Sequence, residues 1–371
     1  MWAIVVKEFR QLRRDRRTVA MLFMLPFVFL VVFGYAASFD VKEVRTLVVG
    51  PRAEAVAALL PKQFDVVAVR PDDGYDQAYE ALRDGEATVT VITPADSGGQ
   101  PRVLVDGTEL FAARTAVIGF SQLSAHAPAG TTIPQPEVLF NPDLRTSVIM
   151  IPGLCGIILV FVGTLATALG VVRERQAGTL EQLAVMPFRP RDIFVGKIAP
   201  YLAIAAIDMV VIVGVGMLLF DVPFRGSVLT FALGAALFLF VTLGIGVLIS
   251  TVSQTQGQAI QLTMMTIMPQ FLLSGLFFPL YSMAPGVRWI GYLLPLTYFV
   301  KIARGVMVRG EPFGALWLPM LILALMAALV FTASVLRFRR DLAPAKMKDD
   351  AAGGAADAAP PAAPPAAETS S

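Results

Sequence analysis

Cysteine and histidine are almost missing: the 371-residue chain has one of each, Cys155 and His126. A single thiol inside an apolar run excludes a disulfide framework or a thiolate metal site. It reads as a small buried hydrophobe. A lone imidazole in an Ala- and Pro-rich loop gives no basis for metal binding or general-base chemistry. Charged residues are also scarce, at 16%, against about 25% in a soluble domain. A net charge of +2 is too small to indicate nucleic acid. Nor is there a phosphate-cradling loop. The pattern Gly, four residues, Gly-Lys-Ser/Thr does not occur, and Gly196-Lys197 runs straight into Ile198. The chain is therefore not read as an enzyme, and no catalytic, cofactor or metal residue is assigned to it. If ATP drives the protein, ATP and Mg are bound by another polypeptide.

Apolar residues are abundant, at 56% with a mean hydropathy of +0.68, so a bilayer is the expected solvent for much of the chain. A spanning helix needs about 20 predominantly apolar residues. Six segments meet or approach that length: Val19–Ala37, Val148–Val172, Ile198–Phe220, Val228–Thr251, Ala259–Leu280 and Ala315–Leu336. The first is longer than a signal-peptide core and follows a long basic stretch, so it is read as a retained span. Lys7, Arg10, Arg13, Arg14, Arg16 and Arg17 precede it. Arg173, Arg175, Arg189, Arg191 and Lys197 follow the second span, and Arg337, Arg339, Arg340, Lys346 and Lys348 follow the sixth. With six spans these groups share one side. They outnumber Arg225, Arg288, Lys301, Arg304 and Arg309 on the other, which places both termini in the cytoplasm.

The fold class expected is an α-helical polytopic membrane protein of six spans, with an extracytoplasmic α+β domain between spans one and two. That domain, residues 38–147, has about the length of one small domain. Leu47–Val49, Asp65–Val69, Thr88–Thr93 and Arg102–Val105 are rich in β-branched residues and read as strands. Asp76–Arg83 and Glu109–Ser124 have helical spacing, which implies a mixed sheet with helices on it. Asp106-Gly107-Thr108 marks a turn that caps the next helix. Its acids lack a nucleophile–base pair, so the domain is read as a cover or docking platform. Farther on, residues 281–314 hold short apolar runs broken by prolines, which suggests a re-entrant hairpin. Trp289, Tyr292, Tyr298 and Trp317 are expected at headgroup level. The Ala- and Pro-rich tail 341–371 is expected to be disordered.

Two features carry the functional expectation. The first is the charged loop 173–197 between spans two and three. Thr179 and Gln182 have the spacing of a capping box, Leu180 and Leu183 are apolar, and Pro187 limits the short helix. A capped amphipathic stub on one side of a membrane protein suits docking to a soluble partner. The second is Asp208 within the third span, where an acid costs about 2.5–3.5 kcal/mol. It is read either as a cation- or proton-handling group or as a carboxyl hydrogen-bonded to Thr164, Thr167 or Gln270. Gln254, Gln256, Gln258 and Gln261 cluster between spans four and five, where interhelical hydrogen bonds are expected.

These patches, in this order, resemble the permease subunit of a type 2 ATP-binding-cassette exporter. Glu174, Gly178-Thr179-Leu180-Glu181, Leu183, Pro187 and Gly196-Lys197 are similar to that family's loop between spans two and three. Phe140-Asn141-Pro142 with Pro152-Gly153 resembles the entry to span two. Leu273-Ser274-Gly275, Phe278-Pro279, Pro295-Leu296-Thr297-Tyr298 and Arg304-Gly305 resemble the end of span five and its hairpin. The resemblance covers Met1 to Arg340, and the large first external loop is similar to the drug-efflux subgroup.

The resemblance implies a multi-pass protein of the bacterial inner membrane. It would pair with a second permease chain, in a homodimer or with a sister permease, and with a cytoplasmic ATP-binding-cassette ATPase. A periplasmic adaptor is a further implied partner, membrane lipid is another, and nucleic acid is not one. Glu174, Gly178, Thr179, Leu180, Glu181 and Leu183 would form the ATPase-coupling site, and residues 1–18 a basic interface helix on the inner surface. The rivals are a non-transporting membrane sensor or scaffold, a secondary transporter driven through Asp208, and a polysaccharide or lipid exporter of the same superfamily.

Overall fold

The computed structural model describes residues 43–94, 99, 101–126, 133–177 and 190–342, with side chains for all of these except 190–200 and 338–342. Several expectations lie outside the described residues. They are the basic segment 1–18, the first span Val19–Ala37, the stub residues Gly178, Thr179, Leu180, Glu181 and Leu183, and the tail from residue 343.

Residues 44–139 form a five-stranded sheet with three helices. The strands are β1 (Val44–Val49), β2 (Phe64–Arg70), β3 (Val89–Ile92), β4 (Arg102–Asp106) and β5 (Pro136–Leu139), in the order β2-β1-β3-β4-β5. All neighbours are parallel except β3 and β4. The helices are α1 (Ala53–Leu59), α2 (Tyr75–Arg83) and α3 (Leu110–His126).

Side chains alternate along each strand, so the two faces acquire different partners. Val44, Val48, Val89, Val91, Val103 and Val105 pack with Ala112, Ala113, Ala116 and Phe120 of α3. Leu47, Val49 and Leu104 pack with Ala78, Ala81 and Leu82 of α2. A sheet covered on both faces needs apolar residues at successive positions, as Leu47-Val48-Val49 supplies. Neither α1 nor β5 was expected. The first is short, and β5 opens on Pro136, which a strand accepts at its first residue or at an edge.

Residues 146–177 and 190–342 are largely helical: α4 (Thr146–Gln176), α5 (Pro190–Phe220), α6 (Val228–Val252), α7 (Gln256–Leu273), α8 (Pro285–Tyr292), α9 (Pro295–Arg304) and α10 (Phe313–Leu342). A 3-10 turn at Leu280–Ser282 precedes α8, and a π-turn at Gly305–Arg309 follows α9. Among the described residues four helical stretches are long and apolar enough to cross a membrane: Thr146–Gln176, Tyr201–Phe220, Val228–Val252 and Phe313–Arg337. They coincide with the expected second, third, fourth and sixth spans and make this a largely helical, polytopic membrane protein.

Only the first part of the expected span Ala259–Leu280 lies in one helix. Its helix, α7, stops at Leu273, and Gly275 takes φ +81°, a conformation that ends a helix. Four glutamines in or at the start of α7 (Gln256, Gln258, Gln261 and Gln270) dilute its apolar character, and it does not meet the same length-and-hydropathy measure.

At the centre, α6 packs between α4 and α10. Close approach depends on small residues and on polar stitches across the gap. A methyl added at Gly246 would lie 2.6 Å from the Thr164 carbonyl oxygen. Beside it Thr164 Oγ1 donates to the Thr242 carbonyl at 3.2 Å, and Ser334 Oγ donates to the Gly244 carbonyl at 3.1 Å. Phe238 of α6 stacks on Phe299 of α9, with ring centroids 4.4 Å apart. Tyr298 is buried and donates to the Tyr292 carbonyl at 2.6 Å, so it packs in the protein core. Trp289, Tyr292 and Trp317 are exposed.

Candidate coupling site

The charged loop leaves α4 at a polar clamp. Arg175, in the last turn of α4, donates through Nη1 to the carbonyls of Ser250 (3.0 Å) and Ser253 (3.1 Å) at the end of α6. A helix C-terminus carries partial negative charge and unpaired carbonyls, so a guanidinium is a favourable cap. Next to it, Gln256 Nε2 donates to Gln176 Oε1 at 3.1 Å. Gln176 Nε2 lies 3.5 Å from the Gln254 carbonyl. The Gln254 amide donates to Gln258 Oε1 at 2.9 Å, and Thr255 caps α7 by accepting from the Gln258 amide at 3.3 Å. Gln254, Gln256 and Gln258 thus belong to one network tying α4 to the α6–α7 turn, whereas Gln261 Oε1 has no partner among the described residues.

Of the expected coupling residues, Glu174 lies in the last turn of α4, half-buried beside this clamp. Gly178, Thr179, Leu180, Glu181 and Leu183 follow it in sequence, outside the described residues.

Asp208 is half-buried in α5. The hydrogen-bond partners expected for it donate elsewhere: Thr164 to the Thr242 carbonyl, Thr167 to the Gly163 carbonyl at 2.7 Å, and Gln270 Nε2 to the Thr266 carbonyl at 3.4 Å. A carboxyl tied to those three groups is not what the fold contains.

A second cluster, which the sequence did not reveal, joins the sheet to the helices. Asp106, at the end of β4, is fully buried, and its Oδ1 accepts from the Thr108 amide at 2.8 Å. Its Oδ2 accepts from Thr108 Oγ1 and from Arg309 of the π-turn, at 2.9 Å and 2.6 Å. Arg309 also donates to Glu311 Oε1 at 3.1 Å. Burial disfavours the charge on Arg309, but the Asp106 and Glu311 carboxylates outweigh that and raise its pKa. Burial raises the Asp106 and Glu311 carboxyls, with Arg309 opposing the shift.

Nearby, Glu109 Oε2 accepts from Thr88 Oγ1 and from the Tyr281 hydroxyl, each at 2.8 Å. Arg304 donates to the carbonyls of Ile149, Gly275 and Leu276. Asn141 accepts from the Arg145 amide at 3.0 Å and donates to the Gly107 and Arg145 carbonyls, tying the β4–α3 turn to the start of α4. Arg304 and Arg309, loop charges by sequence position, are both engaged in the interior. The only local hints were an acid ending an apolar strand and an Arg-Gly-Glu run, 309–311, between apolar helices.

Residues 16–336 match the family described as ABC-2 family transporter protein. The probable multidrug ABC transporter permease YbhS of Escherichia coli (strain K12) is 27% identical over 333 residues, covering 83% of this chain and 88% of that protein. The probable multidrug ABC transporter permease YbhR of the same strain is 24% identical over 361 residues, covering 92% and 98%. The inner membrane transport permease YhhJ, also of that strain, is 34% identical over 209 residues, covering 55% and 54%.

Proposed function

The chain belongs to the ABC-2 transporter family, and on that premise we propose that it is the permease subunit of an ATP-driven exporter of lipophilic or amphiphilic small molecules. The substrate class follows the two relatives named as probable multidrug permeases, which this chain matches over most of its length. In this reading the chain crosses the inner membrane six times. Val19–Ala37 and α7 supply the first and fifth crossings, both termini are cytoplasmic, and the sheet of β1–β5 stands outside. Residues 281–314 form a re-entrant hairpin on that outer side. A cytoplasmic ATP-binding-cassette ATPase binds the nucleotide and Mg, and a second permease chain completes the translocation path. In the same reading a periplasmic adaptor docks on the outer unit.

The observation that carries the mechanism is the clamp at Arg175 and Gln176. It ties the root of the loop at 178–189 to the α6–α7 turn, so a push on that loop is delivered to three helices together. Leu180 and Leu183 are the apolar anchors for the ATPase in this scheme, with Glu174, Gly178, Thr179 and Glu181 setting the orientation of the stub. The test is reconstitution with the cognate ATPase. Leu180→Asp with Leu183→Asp should abolish vanadate-sensitive efflux while insertion is unchanged. Efflux at the wild-type level would remove the coupling role.

A further inference from the structure

Asp208 is the acid that the coupling scheme leaves unused. It lies in the apolar stretch Tyr201–Phe220 of α5, about two helical turns from its start. On one side of it α5 meets the body: Ala205 is buried, and Met209 and Ile212 pack against the core. On the other side Ile204, Ile207, Val211 and Val215 are exposed. Asp208 therefore sits at the margin between the packed and the open faces of α5.

No hydrogen bond or ion pair reaches it from the described residues, and the hydroxyls and amide that could have done so are committed elsewhere. None of the six apolar segments of the sequence contains a Lys or Arg. A second copy of the chain would bring no cation at this depth either. A positive group that meets Asp208 therefore comes from outside these segments.

We propose that Asp208 is a specificity-determining residue that holds the positive group of a lipophilic organic cation entering sideways from the bilayer. This rests on the export reading above and names its substrate class, quaternary ammonium or phosphonium compounds with apolar substituents. A small inorganic cation does not fit. Such an ion needs several oxygen ligands to replace its water, and among the described residues no group of three His, Cys, Asp or Glu side chains converges. A bulky cation of low charge density needs one opposite charge and an apolar surface. Asp208 offers the charge, and Ile204, Ile207 and Val211 offer the surface.

The test is equilibrium binding of tetraphenylphosphonium, and of neutral triphenylphosphine oxide, to the full chain in lipid nanodiscs. Asp208→Asn should weaken phosphonium binding on the order of tenfold and leave the neutral compound unchanged, while Asp208→Glu should keep most of the cation affinity. Undiminished phosphonium binding by Asp208→Asn, equal losses for both compounds, or no phosphonium binding by the wild type would each overturn the proposal. Unchanged neutral binding certifies that the variant is folded. ATP-driven export is scored separately, so a chain that binds the cation at Asp208 but exports nothing with the ATPase would sink the export reading and leave the site standing.

Discussion

Arg309 and Asp106 are 203 residues apart in the chain, yet Nη2 and Nε of the guanidinium both donate to Asp106 Oδ2, at 2.6 and 3.1 Å. Asp106 is fully buried and Arg309 nearly so, at 13% exposure. The contact fixes the end of β4 on the π-turn after α9. A π-turn within a helical run often marks a functional position, and here it aims a cation into the sheet unit. Movement of α9 would be passed to the sheet through this pair.

Arg309→Ala leaves the Asp106 and Glu311 carboxylates buried without their cation. Stripping one partner from a buried pair costs about 3–5 kcal/mol, so the thermal midpoint in detergent should drop sharply. Arg309→Lys, which loses the fork geometry but keeps the charge, should fall less. Equal midpoints for wild type and Arg309→Ala would show that the junction bears no load.

The same carboxyls predict a pH trend. Burial raises Asp106 and Glu311 above their ordinary 3.8 and 4.5, so the folded chain holds these protons more tightly than the unfolded chain does. Their contribution to stability is therefore complete below those ordinary values and is lost as pH rises through the folded ones. Glu311→Gln should flatten the decline, measured as the difference in unfolding midpoint between about pH 5 and about pH 8.

Gly246→Ala should be costly although only one methyl is added. Its new carbon would meet the Thr164 carbonyl oxygen at 2.6 Å and Thr167 Cβ at 2.9 Å. Backbone cannot swing aside as a side-chain tip can, so α4 and α6 must separate. Overpacking of this kind costs about 1–3 kcal/mol. Gly214→Ala, where nothing lies within 4 Å, is the matched control and should be neutral in the same melting assay.

Arg175→Ala should loosen the root of the coupling loop. It removes charge-assisted bonds to two carbonyls, each worth about 1.5–3 kcal/mol. ATP-driven efflux should fall while insertion into the membrane is unchanged, and Arg175→Lys should restore part of it. Efflux of Arg175→Ala equal to wild type would separate the clamp from coupling.

Local pattern alone disclosed much of this protein. Apolar runs placed α4, α5, α6 and α10 to within a few residues of their hydrophobic portions, because a bilayer-length stretch of Leu, Val, Ile and Phe has few other uses. Runs of β-branched residues placed β1 to β4 for a similar reason, since the preference acts residue by residue. The glutamines at 254, 256 and 258 announced a polar contact by standing at the ends of apolar helices.

Tertiary structure alone decided which distant groups meet. The end of α7 depended on Gly275 taking a left-handed conformation, which no apolar count reveals. The partners of Thr164 and Thr167 depended on how closely α6 approaches α4, and that left Asp208 without them. Arg304 and Arg309 read as loop charges because charge in a sequence carries no address. Only when the β4–α3 turn is brought against the π-turn does a buried carboxylate find its cation, and the low dielectric around that pair then makes its partnership matter.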